Sequence, residues 1–360
     1  MLRQATSQIV AVRFTPSGGI ISASKDGTVT MWNRDSDHPL WSVSFKRPPR
    51  MNDATLVKIN AMDLSLDGRT VAVAYIHSGV DLNLIDKKAG DPMKQIASVW
   101  QPHIVLIDTA DGTIKKDIQE IRDKNTIREV ILSPIGKSVF VTTAAIFVRA
   151  KNHPPSTTHV LSMDTGHEVR AFNSPDWVMR AALSPDGRLF AAAVYQHTEG
   201  DTAFYELQFY DADTGQLLRS SKFETTQTVA IGFSPDGRLL AISRSTKAGI
   251  RVDLFPTDDA GKPTRTITVG QVVEIRAVAF IQEQQRLALA GGRLPIVDFN
   301  DTGSPMYKDK GGTVIVVDEK TGKKLTSHKF QSFVTCLAIS PDGSRMAAGM
   351  YDGQIAIAPP

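Results

Sequence analysis

Hydrophobic and polar positions follow one plan in seven successive units of this chain: a short apolar run, a tight turn and a second apolar run. In the fifth unit, the apolar residues 229–233 precede the turn and residues 239–242 follow it. Such short, continuous runs predict strands that are buried on both faces. Six of the turns are built from residues that favour turn geometry. They read Thr15-Pro16-Ser17-Gly18, Ser65-Leu66-Asp67-Gly68, Ser133-Pro134-Ile135-Gly136, Ser184-Pro185-Asp186-Gly187, Ser234-Pro235-Asp236-Gly237 and Ser340-Pro341-Asp342-Gly343.

The spacing of these turns predicts the fold. A seventh site, residues 281–285, keeps the spacing but lacks the turn residues. Second turns, such as residues 164–166 and 213–215, give several units four strands, which we name a to d from the centre outward. A repeat of about 50 residues made of short strands predicts an all-β fold, a seven-bladed β-propeller of four-stranded antiparallel blades. Because each unit buries its faces only against its neighbours, residues 1–360 are predicted to form one domain.

The last unit ends after its third strand, at Pro359 and Pro360. Residues 2–7 precede the first strand a and can supply the missing fourth strand. This N-terminal strand would close the ring and remove an exposed sheet edge. An unclosed last blade is the alternative.

Composition narrows the classes of function. No apolar run approaches the roughly 20 residues of a membrane span, so we expect no membrane insertion. The net charge of +3 is too small to indicate a nucleic-acid partner. With Cys336 as its single cysteine, the chain forms no internal disulfide, and we expect a reducing compartment, the cytoplasm. Cys336 falls where other units have Ala, which predicts a buried filler rather than a nucleophile.

Two segments resemble WD repeats. Residues 22–33, SASKDGTVTMWN, look like the b–c hairpin of such a repeat, with Trp32 and Asn33 in place of the Trp-Asp pair, and residues 350–357 are a weaker copy. The middle units lack the Gly-His pair and the Trp-Asp ending. Their turns are similar to those of bacterial propellers, including the TolB family, lactonase-like proteins and quinoprotein amine dehydrogenases. The resemblance implies the fold over nearly the whole chain, but one fold hosts many functions.

Long connections point to one face of the predicted propeller. The a–b and c–d turns, which share one face, are mostly tight. The b–c connections lie on the opposite face, here called the b–c/d–a face, and long loops on one side of a rigid scaffold are usually functional or disordered. Four of them carry insertions, at residues 76–101, 149–158, 196–203 and 291–312.

Aligning the strands on their turns predicts what lines the mouth of the channel on this face. One step into strand a stand Val10, Asn60, Arg128, Met179, Val229, Arg276 and Thr335. Entry positions and the ends of strands b add further basic and aromatic groups. From these sets we predict as partner-binding residues Trp177, Arg128, Arg276, Arg180, Lys58, Phe333, Tyr351, Arg244, Tyr75 and Arg293.

This mouth has more basic than acidic groups and a few aromatic ones. It favours a protein partner with an acidic and apolar segment, for which Trp177, Tyr351 and Phe333 would be anchors. The alternative is a solvated rim in which the arginines pair with nearby carboxylates.

Two function classes follow. The first is a non-catalytic interaction scaffold or a subunit of a larger assembly. The second is a propeller enzyme or cofactor-enzyme subunit, lactonase-like or amine dehydrogenase-like, with its site at the channel mouth. Such an enzyme needs converging carboxylates or histidines, whereas the aligned mouth offers mostly arginine and aliphatic residues. We therefore predict no catalytic residues, no metal and no cofactor.

A partial calcium-loop pattern remains open. Residues 298–303 together with Asp309 fit part of such a loop, but Thr302 and Asp309 stand where other ligands are usual. The sequence does not decide whether this loop binds calcium.

Overall fold

The computed structural model describes residues 1–3, 7–33, 36–46, 56–78, 102–121, 125–144, 155–199, 202–225, 230–246, 249–259, 262–269, 274–281, 285–293, 296–299 and 305–360. These residues form strands and turns and no helix. The strands make seven four-stranded antiparallel sheets, the blades of a β-propeller. The predicted fold class is confirmed.

The first three blades follow the chain from the centre outward. Blade one contains β2 (Ile9–Phe14), β3 (Ile20–Ser24), β4 (Thr28–Trp32) and β5 (Pro39–Ser44). Blade two contains β6 (Leu56–Leu64), β7 (Thr70–Ser78), β8 (Pro102–Asp108) and β9 (Ile114–Ile118). Blade three contains β10 (Thr126–Leu132), β11 (Ser138–Ala144), β12 (Ser156–Ser162) and β13 (Glu168–Ser174).

The next three blades repeat this order, with one insertion. Blade four contains β14 (Trp177–Leu183), β15 (Leu189–Glu199), β16 (Thr202–Asp211) and β17 (Leu217–Thr225). Blade five contains β18 (Ala230–Phe233), β19 (Leu239–Thr246), β20 (Gly249–Pro256) and β21 (Arg265–Val269). Blade six contains β22 (Ile275–Ile281), β23 (Arg286–Gly292), β26 (Gly312–Asp318) and β27 (Lys324–Phe330), and a separate hairpin, β24 (Ile296–Phe299) and β25 (Pro305–Tyr307), lies between its second and third strands.

Blade seven joins the two ends of the chain. It contains β28 (Val334–Ile339), β29 (Met346–Met350) and β30 (Gln354–Ala358), and its outer strand is β1 (Leu2–Arg3). The pairing of β1 with β30 is antiparallel and covers two residues, with Leu2 opposite Ile355. A hydrophobic cluster containing Leu2, Ile9 and Trp32 packs blade seven against blade one.

Apolar side chains fill the spaces between neighbouring blades. In the described part of the chain, seven clusters of buried residues match the seven blade-to-blade interfaces. The strands contribute side chains to both of their faces, as their continuous apolar runs predict. Burial of apolar area of this kind is the main stabilising term of a propeller, because each blade has no core of its own.

The a–b turns share one hydrogen-bond pattern. In the turn of blade two, the Ser65 hydroxyl donates to Asp67 Oδ1 at 2.6 Å, Asp67 Oδ1 accepts from the Arg69 N–H, and Ser65 Oγ accepts from the Thr70 N–H. The turns at Ser184, Ser234 and Ser340 repeat these bonds. The recurring Ser-x-Asp-Gly sequence therefore forms one turn geometry.

The insertions on the b–c/d–a face differ from one another. The predicted insertion at 196–203 is a hairpin extension, because β15 and β16 stay paired as far as Glu199 and Thr202, with a bulge between Tyr195 and His197. The insertion at 291–312 contains the β24–β25 hairpin. Most of the insertions at 76–101 and 149–158 lies outside the described residues.

Candidate functional site

A β-bulge recurs near the start of the innermost strand. In six blades, the register between strands a and b shifts at one residue of strand a, which is between the second and the fifth residue of that strand. A bulge adds an unpaired residue and changes the direction of its side chain. The six bulged residues are Val10, Asn60, Arg128, Met179, Arg276 and Thr335. The residue predicted to be equivalent in blade five, Val229, lies outside the described residues.

All seven innermost strands line one central cavity of about 270 Å³. A second cavity of about 310 Å³ forms its mouth on the b–c/d–a face, where Gln8, Lys25, Phe333 and Tyr351 stand. The two cavities share their boundary, so the mouth leads directly into the channel. The shared lining residues are Val10, Asn60, Arg180, Arg276 and Thr335.

Two of the bulged residues hold neighbouring blades together. Asn60 Nδ2 donates to Thr126 Oγ1 and to the Ile127 carbonyl, both at 3.1 Å, which ties blade two to blade three. The Thr335 hydroxyl donates to the Ile9 carbonyl at 2.5 Å and ties blade seven to blade one. These positions are therefore structural as well as channel-lining.

A tight ion pair lies deeper in the channel. Arg13 Nε donates to Asp63 Oδ1 at 2.9 Å, and Asp63 Oδ2 accepts from the Leu132 N–H at 2.9 Å. This one carboxylate therefore joins strands of blades one, two and three. Neither Arg13 nor Asp63 was among the predicted site residues.

The arginines nearer the mouth differ in how closely a carboxylate balances their positive charge. Arg276 Nη2 lies 2.6 Å from Glu274 Oε1, and its guanidinium lies over the Phe333 ring with Cζ 5.8 Å from the centroid. Arg180 Nη1 is 3.8 Å from Glu129 Oε1, which is a looser pair. Among the residues that the structure describes, no carboxylate forms an ion pair with Arg128.

Burial and like charges act on the ionisation of these groups. Burial raises the pKa of Glu129, although the positive charges of Arg180 and Arg13 oppose that shift. Burial lowers the pKa of Arg128, and the neighbouring Arg180 lowers it further. At the mouth, burial and the charge of Lys58 lower the pKa of Lys25. The channel therefore holds cations that repel one another.

Three of the predicted aromatic residues are buried. The exposed fraction is 2% for Trp177, 1% for Phe333 and 7% for Tyr75. Trp177 packs against Tyr195, with ring centroids 6.1 Å apart, while Tyr75 stacks between Phe45 and a histidine ring. Both Trp177 and Phe333 therefore pack inside the fold and are not exposed. Their role as anchors for a partner stays a prediction. Tyr351 is partly exposed and lines the mouth.

The structure groups only some of the predicted basic residues. Arg128, Arg180 and Arg276 line the channel together. Arg244 does not line either cavity, because its Nε lies 2.6 Å from Oδ2 of Asp253 on the neighbouring strand β20. Arg293 is exposed beside the blade-six insertion, where its backbone pairs with Gly311 and Lys310.

The structure gives positions to Asp309, from the calcium-like segment, and to Cys336. Asp309 accepts hydrogen bonds from the Gly311 N–H, the Phe333 N–H and the Ser332 hydroxyl, so its carboxylate organises a loop. Residues 300–303 of the calcium-like segment lie outside the described residues. Cys336 lines the channel, and burial raises the pKa of its thiol to about 11, which keeps it protonated at neutral pH.

The described residues contain neither a cluster of metal-binding side chains nor a helix that could span a membrane. No group of three or more His, Cys, Asp or Glu side chains there could hold a metal ion. The same residues include no helix with the length and hydropathy needed to cross a membrane.

Comparison with protein families matches both ends of the chain. The model described as WD domain, G-beta repeat matches residues 2–33 and residues 319–357. The first match covers β1 and the first three strands of blade one, and the second covers β27 and blade seven up to β30. A search of curated proteins found no match to the chain.

Proposed function

Because the chain is a WD-repeat-like β-propeller, we propose that it is a non-catalytic protein-interaction scaffold, either free-standing or a subunit of a larger assembly. Propellers of this family commonly serve as interaction scaffolds, generally bind protein partners and are typically non-enzymatic. The proposed binding surface is the channel mouth on the b–c/d–a face, and the proposed partner is a protein segment with acidic and apolar character. The proposed location is the cytoplasm, which rests on cysteine usage alone.

The observation that carries this proposal is the composition of the mouth. Lys25, Lys58, Arg180 and Arg276 stand around it or immediately beside it, and Tyr351 offers a partly exposed ring. Arginine and aromatic side chains are favoured at the centres of protein interfaces, and complementary charge accelerates and orients association. An acidic segment would also relieve the repulsion among these cations.

The non-catalytic part of the proposal rests on how the carboxylates of the channel are used. Asp63 and Glu129 both face arginines, and Asp63 also accepts a backbone N–H. A carboxylate held as closely as that of Asp63 is poorly placed for proton transfer to a substrate. We expect no turnover of lactones, phosphoesters or amines, with or without calcium. Turnover that disappears when a single channel residue is substituted would overturn this part.

The binding test compares two double variants on opposite faces. One is Lys58→Glu with Tyr351→Ala at the mouth, and its matched control is Arg188→Glu with Arg238→Glu, both exposed beside the a–b turns. A partner is first captured from native lysate and purified, and its affinity for each folded variant is then measured by calorimetry. Loss of a central interface contact often costs about 2 kcal/mol, roughly thirtyfold in affinity.

The two variants separate the faces of the propeller. The mouth variant is expected to lose the partner, whereas the control keeps it. If the control loses the partner and the mouth variant keeps it, the proposed face is wrong. Circular dichroism of both variants excludes unfolding as the cause.

A further inference from the structure

We propose that the central channel contains a binding site for one oxyanion, a carboxylate or a phosphate, held between Arg128 and Arg180. This inference deepens the proposed function, on which it rests only for the location of the mouth. Two sources could supply the oxyanion: a free small anion, or an acidic side chain of the bound partner. The experiment below distinguishes them.

The charge balance of the described channel is the first argument. Four arginines line it, Arg13, Arg128, Arg180 and Arg276. The described carboxylates that form ion pairs with them are three, Asp63, Glu129 and Glu274. Two of the carboxylates are committed at short distance, 2.9 Å from Arg13 and 2.6 Å from Arg276. One cation therefore remains without a counter-charge inside the propeller, where an unpaired charge is costly.

Arg128 is the cation in excess. Its Nε is enclosed and has no hydrogen-bond partner among the described residues. Burial and the charge of Arg180 both lower its pKa, which means that the surroundings disfavour the cation as they stand. An anion would supply the missing counter-charge and accept hydrogen bonds from the guanidinium.

Glu129 is a weak internal competitor for this anion. Its carboxylate is 3.8 Å from Arg180, beyond the distance of a direct hydrogen bond, and burial raises its pKa. Arg180 therefore keeps hydrogen-bonding capacity for a second acceptor. The planar guanidinium fork matches carboxylate and phosphate oxygens, which favours these ligand classes over halide ions.

The channel also has space for an anion and an opening through which it can enter. The channel cavity of about 270 Å³ opens into the mouth through the residues that the two cavities share, which include Arg180. Lys25 and Lys58 at the mouth would attract anions toward this opening. Arg13 also lines this cavity, but its charge is compensated by Asp63.

The test measures Tm of the purified protein at constant ionic strength with increasing inorganic phosphate, citrate, or a capped hexaglutamate peptide. A capped hexaglutamine peptide is the neutral control. A ligand at one hundred times its Kd should raise Tm by about 3–4 °C for a chain of this size, and the rise should saturate. A rise with phosphate or citrate assigns the site to a free anion, and a rise with hexaglutamate alone assigns it to an acidic segment.

Four variants locate the effect. Arg128→Gln should abolish the rise and should increase Tm of the free protein, because it removes an uncompensated buried charge. Arg128→Lys should keep part of the rise. Glu129→Gln should shift the titration midpoint to about tenfold lower ligand, because a competing negative charge is lost. Arg188→Gln, at an exposed position on the other face, should respond as the wild type does.

The proposal is overturned if none of the three acidic probes raises Tm, or if Arg128→Gln keeps the full rise. A lower Tm of free Arg128→Gln would also contradict it, because that result would mean that the guanidinium is already compensated. These measurements do not involve the protein partner. Failure to recover a partner at the mouth would therefore remove the proposed function and leave this result intact.

Discussion

The two faces of the propeller are made from opposite ends of the same strands, and they repeat to very different degrees. On the face of the a–b turns, four blades carry the same serine-to-aspartate hydrogen bond, at 2.6 Å in the turn of Ser65 and Asp67 and at 2.5 Å in that of Ser184 and Asp186. On the channel side, equivalent bulges carry residues as different as Val10, Asn60 and Arg128.

Contacts between blades explain the difference. An added Cβ at the turn glycine Gly68 would lie 2.3 Å from Pro16 Cδ in the preceding blade, and one at Gly187 would lie 2.6 Å from Ile135 Cγ1. Each of these turns packs on its neighbour, so its shape is fixed by the ring. Five of the six bulged residues line an open cavity instead, where different side chains fit. The repeated a–b turns therefore identify the fold, whereas we expect the varied residues of the channel to determine the function.

The largest expected effect tests the turn face. Gly68→Ala should lower the free energy of unfolding by about 2–4 kcal/mol, because it combines a φ of 70° with overpacking against Pro16. Gly136→Ala is the matched control, since Gly136 is not among the positive-φ glycines and its added Cβ would lie 3.5 Å from Ser133 Oγ. Chemical denaturation of both variants gives the comparison. Equal losses would show that packing between turns is not what fixes the glycine.

The second prediction tests whether the carboxylate of Asp63 stabilises the fold. Asp63→Asn should lower the free energy of unfolding by about 2 kcal/mol, because it weakens the bond to Arg13 and leaves that guanidinium without a counter-charge. Arg128→Gln should change Tm in the opposite direction. If both variants lower Tm alike, the channel does not divide into compensated and uncompensated charges.

The third prediction concerns pH and the histidine pair of blade two. His77 is 4% exposed, and its ring centroid is 5.0 Å from that of His103. The Nδ1 atom of His103 lies at hydrogen-bond distance, 3.0 Å, from Oδ1 of Asp117. Burial, and then the charge of His103, lower the pKa of His77, so the folded chain binds this proton less readily than the unfolded chain does.

The sign of the pH effect follows from that shift. Stability from His77 is complete above its unfolded pKa of about 6.5 and falls as pH drops below that value, by up to about 1.4 kcal/mol per pH unit for one proton. Tm measured between pH 8 and pH 5 should show this decline. His77→Phe should flatten it, and an unchanged slope in that variant would rule out His77 as its source.

The smallest effect tests Gln285, which ends the a–b connection of blade six. Gln285 has a φ of 49°, a left-handed conformation that favours glycine. Gln285→Gly should therefore raise the free energy of unfolding by about 0.5–1 kcal/mol. Arg238→Gly is the control, because Arg238 also accepts a hydrogen bond from the following c–d turn but does not have a positive φ. A loss of stability in both variants would show that the left-handed conformation carries no strain.

Local chemistry explains what the sequence could predict. The Ser-x-Asp-Gly turns form their hydrogen bonds within five residues, so they identify blade boundaries without any knowledge of the ring. Alignment on those turns also placed Arg128 and Arg276 at equivalent strand positions, and both line the channel because such positions face the same axis. These inferences need only repetition and strand geometry.

Contacts between blades explain what the sequence could not predict. Arg13 and Asp63 are 50 positions apart in the chain, and nothing in either segment marks the other as its partner. Trp177 was predicted to be a partner-binding anchor, but β14 begins at this residue and pairs it with Tyr195, and the ring is buried. In blade four the bulge also makes Arg180, rather than Met179, the channel residue.

The recurring bulge has a consequence for protein engineering. Because the bulged residue stands outside the pairing between strands a and b, its side chain can be exchanged without moving the register that aligns the blade. Val10 and Arg128 are suitable for such exchange, since no described side-chain hydrogen bond from either fastens a neighbouring blade. A combinatorial library at these two codons would vary the chemistry of the pore while the surrounding scaffold is retained.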